Sequence, residues 1–146
     1  MTAKTYLKQH RRLKAKICRI EEAIEEARAA AAYPGINLNG MPRSASPRNS
    51  TEDKLIRLVS LEEELRDMML EDAQTIYDIE ETINAIENEE AAEILHLRYI
   101  KCLPFEAHYN EETIATATNY STPHVYTLHR EGLKEVQQIL DNRIVS

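Results

Sequence analysis

Residues 112–136 read ETIATATNYSTPHVYTLHREGLKEV, and the spacing of their apolar residues predicts two short amphipathic helices joined by a tight turn. The first helix is expected over residues 111–118, and the second is expected to open at Ser121 and to extend to about residue 142. The inward positions of the first helix are Ile114, Ala115 and Ala117. Those of the second helix are Val125, Leu128, Leu133 and Val136. This pattern predicts a helix-turn-helix.

The turn between these two helices has residues suited to each of its positions. Asn119 is one of the few non-glycine residues that enter the left-handed region at low cost, so it is predicted to end the first helix. Tyr120 is predicted to turn inward between the helices. Ser121 is a good N-cap, and Pro123 fits the first helical turn, where its missing N–H breaks no helical bond.

The outer side of the second predicted helix is polar. Its residues are Thr122, His124, Tyr126, Thr127 and Arg130. A polar outer side is typical of a recognition helix, which places such side chains in the major groove of DNA. The alternative is an ordinary helical hairpin in a small bundle, which needs the same apolar positions. The capping residues and the outward polar residues together favour the DNA-binding interpretation.

This stretch resembles region 4 of sigma-70-type factors, the region that reads a promoter element. The resemblance runs without a gap and rests on Ile114-Ala115, Ser121, Val125, Leu128 and Gly132-Leu133. Upstream, Leu97-Arg98-Tyr99 is similar to the family's Leu-Arg-Tyr on the preceding helix. The chain departs from the family at Asn119, where Gly is usual, at Tyr120, where an aliphatic residue is usual, and in the insertion Pro104–Asn110.

Over its whole length the chain is similar to phage and prophage late transcriptional regulators of the RinA/ArpU type, which join an N-terminal helical hairpin to a region-4-like domain. The phrase Val125-Tyr126-Thr127-Leu128-His129-Arg130 resembles their recognition helix. The resemblance implies a gene regulator that binds double-stranded DNA, and region-4 domains also bind RNA polymerase. The implied DNA-binding residues are Ser121, Thr122, His124, Tyr126, Thr127, Arg130 and Lys134. Arg98 and Lys101 are candidates for contacts with the DNA backbone.

Composition favours an all-α protein, because the 146 residues include only three Gly, five Pro and no Trp. Cys18 and Cys102 stand far apart, which indicates free thiols in a reducing cytosol. The N-terminus lacks an apolar leader and no run reaches membrane-spanning length, so we expect a protein that is neither secreted nor membrane-spanning. The resemblance to phage regulators implies the cytoplasm of a bacterial host. Neither a phosphate-binding Gly-rich loop nor a Cys/His cluster with metal spacing is present, so we expect no enzyme, cofactor or metal.

Residues 1–87 are predicted to form a long antiparallel coiled-coil hairpin with a loop at 33–50, and residues 88–146 the helix-turn-helix DNA-binding domain. The first helix is expected over Thr5–Ala32, with an unbroken heptad seam: Tyr6, His10, Leu13, Ile17, Ile20, Ile24, Ala27 and Ala31. The second is expected to start at Ser50 or Thr51, with a slip in spacing between Met68 and Ala73. Its apolar positions are Leu55, Leu58, Leu61, Leu65, Met68, Met69, Ala73, Ile76, Ile79, Ile83 and Ile86.

A further helix is expected over Glu89–Cys102, capped by Asn88 and broken by Pro104. Its inward side carries Ala92, Leu95, Tyr99 and Cys102. Phe105, which follows the break, is expected to plug the small core of the C-terminal domain. This helix connects the hairpin to the helix-turn-helix.

Charge is unevenly distributed along a chain of net charge −7. Residues 1–20 hold seven Lys or Arg and no acid, whereas residues 51–87 hold twelve acids against three bases. An antiparallel pairing of Ala32 with Thr51 places Arg19 opposite Glu64, so the basic block either pairs with the acidic helix or serves as a phosphate-binding arm. Residues 88–146, with nine acids and five bases, are acidic themselves, which is the main objection to DNA binding.

Two helices make a thin core, so the hairpin is expected to form a homo-oligomer or to lie on a partner. Two other functions stay open at this point. The chain is alternatively a protein-interaction module that docks on RNA polymerase, which suits its acidic balance, or a small phage packaging subunit with an oligomerising hairpin.

Overall fold

The structure, a computed structural model, describes residues 1–32, 47–107 and 109–145, without the side chains of residues 47–50. Every regular element in these ranges is helical, which confirms the all-α prediction. The helices are α1 (Ala3–Leu7), α2 (Gln9–Ala32), α3 (Pro47–Asn84), α4 (Glu89–Leu95), a π-helical turn (His96–Ile100), α5 (Ile114–Thr118) and α6 (Thr122–Val145). Most of the predicted loop, residues 33–46, lies outside the described residues. None of the described helices combines the length and apolar character that a membrane crossing requires.

The described chain divides into two compact units. The terminal unit comprises Met1–Leu13 and Asp72–Ser146, and the middle unit comprises Lys14–Glu71. Helices α2 and α3 each contribute residues to both units. The predicted domains, residues 1–87 and 88–146, remain a prediction about which segments fold independently.

The predicted first helix is present as two helices, because α1 ends at Leu7 and α2 begins at Gln9. Thr2 caps α1 by accepting a hydrogen bond from the N–H of Thr5 at 3.2 Å. The predicted seam is confirmed. Its last residue, Ala31, is half-buried. The other seven are buried: Tyr6, His10, Leu13, Ile17, Ile20, Ile24 and Ala27.

Helix α3 begins at Pro47, earlier than the predicted start at Ser50 or Thr51. Proline suits the first turn of a helix, where no N–H bond is lost. In the middle unit α3 reaches α2 through an ion pair, in which Arg28 Nη2 lies 3.2 Å from Glu62 Oε1.

The slip in spacing predicted between Met68 and Ala73 is wrong. Leu55, Met69 and Ala73 are exposed, and the chain keeps its spacing of three and four residues through polar side chains instead. The buried and half-buried positions that continue this spacing are Leu58, Leu61, Leu65, Met68, Asp72, Thr75, Ile79, Thr82 and Ile86. The apolar pattern failed because Asp72, Thr75 and Thr82 lie on the inner side of α3.

Polar contacts anchor α3 to the N-terminal helices within the terminal unit. His10 Nδ1 lies 2.7 Å from Asp72 Oδ1, with both residues largely buried. The hydroxyl of Tyr6 donates to Asp78 Oδ2 at 2.6 Å and lies 2.8 Å from Thr82 Oγ1. Arg143 of α6 donates to the same Thr82 hydroxyl at 2.8 Å. These bonds satisfy side chains that would otherwise be costly to bury.

The apolar core of the terminal unit combines both ends of the chain. Its buried residues are Ala3, Tyr6, Leu7, Ile79, Ile83, Ile86, Leu95, Tyr99 and Val136. Leu7 is completely buried, so the first residues belong to this core rather than to a free arm. Apolar burial of this kind is the main stabilising contribution to the unit.

Helix α4 is capped as predicted, since the Asn88 side chain accepts a hydrogen bond from the N–H of Ala91 at 3.2 Å. Its predicted extension to Cys102 is wrong, because α4 ends at Leu95 and continues as the π-helical turn. Cys102 then adopts a left-handed φ of 59°. The helical turn ends there because Leu103, which precedes Pro104, is disfavoured from a helical conformation.

Helix α5 begins three residues later than predicted, at Ile114. Thr113 and Thr116 form a reciprocal capping box, in which Thr113 Oγ1 accepts from the N–H of Thr116 at 3.2 Å. Of the expected inward positions, Ile114 is buried and Ala115 is half-buried, whereas Ala117 is exposed because so short a helix has only one inward turn. A second apolar cluster lies beneath α5 and the start of α6, with Ile94, Ile114, Val125 and Leu128 buried.

Candidate nucleic-acid interface

The turn before α6 has the predicted geometry. Asn119 adopts the left-handed conformation, with φ 61° and ψ 19°, and ends α5. Tyr120 is half-buried against the second apolar cluster. Ser121 Oγ accepts a hydrogen bond from the N–H of His124 at 3.4 Å, which fixes the start of α6. The left-handed Asn119 and the Ser121 cap therefore set the direction of α6 relative to α5.

The outer side of α6 is bare, as predicted. All seven predicted DNA-binding residues are exposed: Ser121, Thr122, His124, Tyr126, Thr127, Arg130 and Lys134. Val125, Leu128, Gly132 and Val136 are buried on the opposite side. Three of the exposed residues, Thr127, Arg130 and Lys134, follow a spacing of three and four, so they lie along one strip of the helix. We call Tyr126 and this strip the reading face.

The predicted residues at the two edges of α6 have different surroundings. Tyr126 packs against Phe105, with ring centroids 4.9 Å apart. His124 leans the other way, where its Nε2 lies 3.8 Å from Glu90 Oε2. Thr127 Oγ1 donates to the carbonyl of Pro123 at 3.1 Å, which leaves the hydroxyl's lone pairs available as acceptors. The structure therefore groups Tyr126 with Arg130 and Lys134, and separates His124 from them.

Arg98 is held in place by two contacts. Its guanidinium lies 4.4 Å above the Phe105 ring, and it donates to the carbonyl of Leu103 at 3.1 Å. Because Phe105 also packs on Tyr126, the ring links Arg98 to the edge of the reading face. Phe105 is half-buried against the second apolar cluster, where it was predicted to fill the core. It also supports this edge through its contacts with Arg98 and Tyr126.

The first residues of the chain lie beside the same edge. Helix α1 packs on α6, where the N–H of Ala3 donates to Gln137 Oε1 at 2.7 Å. The pKa of Lys8 is lowered by partial desolvation and then by the positive charges of Lys4, Arg11, Arg12 and Arg98. The pKa of Arg98 is likewise lowered by burial and then by Arg11. We call Lys4, Lys8, Arg11 and Arg98 the basic rim.

The basic rim also affects a histidine on α6. Burial, followed by the charges of Lys4 and Arg98, lowers the pKa of His129 to about 4. His129 is therefore neutral at physiological pH, and the hydroxyl of Tyr99 lies 2.8 Å from its Nε2. Lys4 and Arg98 therefore act on the His129 side of α6, where Phe105 contacts both His129 and Tyr126.

The predicted pairing of the basic block with the acidic helix is absent from the described residues. The basic side chains at 4, 8, 11, 12, 14, 16 and 19 form no ion pair within that part of the chain. They lie off the buried seam of α1 and α2, and all are exposed except Lys8, which is half-buried. The phosphate-binding arm stays a prediction.

Acidic residues lie on the other flank of α6. Glu135 Oε1 accepts a hydrogen bond from the N–H of Glu87 at 3.2 Å, and Glu131 Oε2 accepts from Asn88 Nδ2 at 3.2 Å. With Glu90 nearby, these groups form an acidic flank made of Glu90, Glu131 and Glu135. The reading face therefore has positive charge along one side and negative charge along the other.

The terminal unit as a whole is acidic. Residues 88–146 contain five basic and nine acidic residues, Met1–Leu13 add four basic ones, and residues 72–87 add five acidic ones. The unit therefore holds nine basic and fourteen acidic residues, so its positive charge is confined to local groups such as the basic rim.

The sequence contained a signal for the basic rim that its net charge concealed. Lys4, Lys8 and Arg11 are spaced by four and three residues, which places them on one side of a helix. Their approach to α6 depends on long-range packing of Leu7, which no local pattern reveals. No group of His, Cys, Asp or Glu side chains within the described ranges has the arrangement of a metal site.

Comparisons with protein-family models, curated proteins and solved structures found no match to this chain.

Proposed function

We propose that the protein is a sequence-specific DNA-binding transcriptional regulator of phage type, acting in the cytoplasm of a bacterial host. The observation that carries the proposal is the exposed reading face of α6 in the same unit as the basic rim, whose side chains have no acidic partner among the described residues. An exposed polar helix with adjacent positive charge is the minimal requirement for binding in a DNA groove.

In this proposal α5, the turn at Asn119 and α6 form a helix-turn-helix of the sigma region 4 type, and α2 and α3 form an antiparallel coiled-coil hairpin. The buried heptad seam of α2 supports the hairpin, and the left-handed Asn119 with the Ser121 cap supports the helix-turn-helix. The resemblance to phage late regulators of the RinA/ArpU type belongs to the same proposal.

The division of labour between residues follows from their chemistry. Arg130 donates to guanine edges or phosphates, and Thr127 and Lys134 make further polar contacts along the same strip. Tyr126 offers an apolar edge for a thymine methyl group. Ser121 and Thr122 lie at the start of α6, where the helix dipole and free N–H groups favour a phosphate.

The basic rim binds the phosphate backbone beside the groove. Lys4, Lys8 and Arg11 neutralise phosphates without reading bases, so they contribute affinity that falls as salt rises. The acidic flank repels phosphates on the other side of α6. This charge asymmetry selects one orientation of α6 in the groove.

The proposal is tested by selecting preferred duplexes from a random pool and then measuring variants against the selected duplex. Arg130→Ala should weaken binding by roughly 1–3 kcal/mol and lower the salt slope by about one unit. Lys8→Gln should lower the slope by about one unit while weakening selected and unselected duplexes equally. Arg19→Ala, a change in the same basic block but in the middle unit, is the matched control and should leave binding unchanged.

Failure to enrich any sequence at low salt would contradict sequence-specific binding. Equal losses for Arg130→Ala and Arg19→Ala would show that only the net charge of the chain matters, which would also contradict a reading face.

A second function, docking on RNA polymerase, is favoured by the acidic flank of α6. Glu90 and Glu131 are both exposed, and Glu131 also accepts a hydrogen bond from Asn88. A basic patch on polymerase would complement their negative charge. In nuclease-treated extracts, polymerase retained by wild-type protein and by Arg130→Ala, but lost with Glu90→Lys, would support this function. Retention by neither protein would exclude it.

A further inference from the structure

A stripe of three aliphatic and two charged residues follows the outer side of α3 within the middle unit. Its residues recur at intervals of three and four: Ile56, Val59, Glu63, Arg66 and Leu70. The three aliphatic side chains are 65%, 53% and 66% exposed in that order, which is unusual for residues of this type. Leu55, which is 50% exposed, lies at the edge of the stripe. We call this set the outer stripe.

The outer stripe is separate from the side of α3 that is partly buried. In the middle unit the half-buried apolar residues are Leu58, Leu61, Leu65 and Met68. At 100° per residue the outer stripe lies about 160° around the helix from them. Contact with α2 therefore leaves the outer stripe uncovered, and a helix with two apolar sides needs a second partner.

The order of charges along the outer stripe indicates what that partner is. Read from Val59 to Leu70, the stripe is aliphatic, acidic, basic and aliphatic. Glu63 with Arg66 and Val59 with Leu70 share one midpoint, between residues 64 and 65. Two copies of α3 aligned antiparallel about that midpoint therefore place each carboxylate opposite a guanidinium, and each valine opposite a leucine.

Other alignments of two copies lack this complementarity. A parallel pairing at equal heights brings Glu63 to Glu63 and Arg66 to Arg66, which is repulsive at both positions. The aliphatic residues supply the stability, whereas exposed ion pairs contribute little energy and mainly select the orientation.

We propose that the outer stripe is the interface of an antiparallel, two-fold symmetric homodimer, in which Glu63 of each copy pairs with Arg66 of the other. The interface is isologous, so it closes after two copies and leaves no unpaired stripe for further growth. This inference concerns α3 alone and holds whether or not α6 binds DNA.

Sedimentation equilibrium of the full chain at micromolar concentration tests the proposal. The wild-type protein should have twice the mass of the 16.8 kDa chain. Leu70→Lys should weaken the dimer roughly 100-fold or more, because the substitution removes two buried contacts at once. The matched control is Ile144→Lys, which changes an equally exposed aliphatic residue of α6 and should leave the dimer intact.

Charge exchange tests the antiparallel alignment. Glu63→Arg alone and Arg66→Glu alone should each dimerise more weakly than the wild-type protein, since each places like charges together twice. A mixture of these two variants should recover the dimer, as should the double variant Glu63→Arg, Arg66→Glu. Because all these side chains are exposed in one copy, circular dichroism should show unchanged helix content.

A monomeric wild-type protein would overturn the proposal. A dimer that survives Leu70→Lys would overturn it as well. So would a mixture of the two charge variants that fails to form the dimer. A larger ring-like assembly would also overturn it and would favour the packaging-subunit function instead.

Discussion

The pKa of His129 reflects its burial and the positive charges near it. It stacks on Tyr99, with ring centroids 5.7 Å apart, and contacts Phe105 edge-on. Burial and the neighbouring charges of Lys4 and Arg98 lower its pKa to about 4. The Tyr99 hydroxyl lies 2.8 Å from Nε2 of the imidazole, so the two groups share a hydrogen bond whose direction follows the imidazole tautomer.

Stability should therefore fall in acid partly through His129. The pKa of His129 is about 4 when folded and about 6.5 when unfolded, so between these values only the unfolded chain binds the proton. The contribution is fully present above pH 6.5 and is lost as pH falls toward 4. In urea titrations, His129→Gln should reduce the loss of unfolding free energy between pH 7.5 and 4.5 by on the order of 1 kcal/mol, after allowance for solvent screening.

The control for that measurement is Gln138→Ala, which changes an exposed side chain of the same helix that does not titrate. Its pH profile should match that of the wild-type protein. If His129→Gln also matched the wild-type profile, the burial and charge assigned to His129 would be contradicted.

The packing of α6 on α4 depends on a glycine. A Cβ atom at Gly132 would lie 2.9 Å from Leu95 Cδ1 and 3.0 Å from Leu95 Cγ. Leu95 is completely buried in the core of the terminal unit, so it has little room to move. The close approach of the two helices, rather than any backbone conformation, is what requires glycine here.

Gly132→Ala should consequently destabilise the protein. Overpacking a core costs about 1–3 kcal/mol, and alanine recovers about 1 kcal/mol of helix propensity, which leaves a net loss of about 1 kcal/mol. Denaturant unfolding measures it. In a Leu95→Ala background the clash disappears, so the same substitution should become neutral or stabilising. Stabilisation in the wild-type background would show that Leu95 relaxes freely.

Helices with a regular apolar seam could be predicted, and those interrupted by polar contacts could not. The seam from Tyr6 to Ala27 follows from spacing alone, as do the caps at Asn88, Asn119 and Ser121. Asp72 escaped the pattern because its burial depends on His10, which lies 62 residues away in the chain. Periodicity identifies apolar seams, whereas a polar residue on the same side is visible only once its partner is in place.

The reading face and its basic rim differ in the same way. Local spacing sufficed to place Arg130 and Lys134 on the exposed side of α6. The approach of Lys4, Lys8 and Arg11 to that side required the burial of Leu7 in a core built largely from residues after 78. The half of the site that is local in sequence could be predicted, and the half that depends on tertiary packing could not.

For the whole molecule, the two proposals together constrain the DNA. An isologous dimer carries two reading faces related by a two-fold axis, and such proteins recognise two half-sites in inverted orientation. The sequence selected from a random pool should therefore be an inverted repeat.

The monomeric variant Leu70→Lys tests this expectation directly. It should protect a single half-site in footprinting and bind the full site more weakly than the wild-type protein does, since the second half-site no longer adds affinity. Selection of an asymmetric site by a dimeric wild-type protein would contradict the link between the outer stripe and DNA recognition.

The discontinuous terminal unit has a consequence for synthesis on the ribosome. Tyr99 and Val136, which share a core with Leu7, leave the exit tunnel about ninety and one hundred and thirty residues after it. Since translation is vectorial, that core cannot close before Val136 has emerged, and its contacts join residues far apart in sequence. A fragment cloned from residue 88 onward would expose the groove that Ala3, Tyr6 and Leu7 fill, and it would lack three of the four basic rim residues.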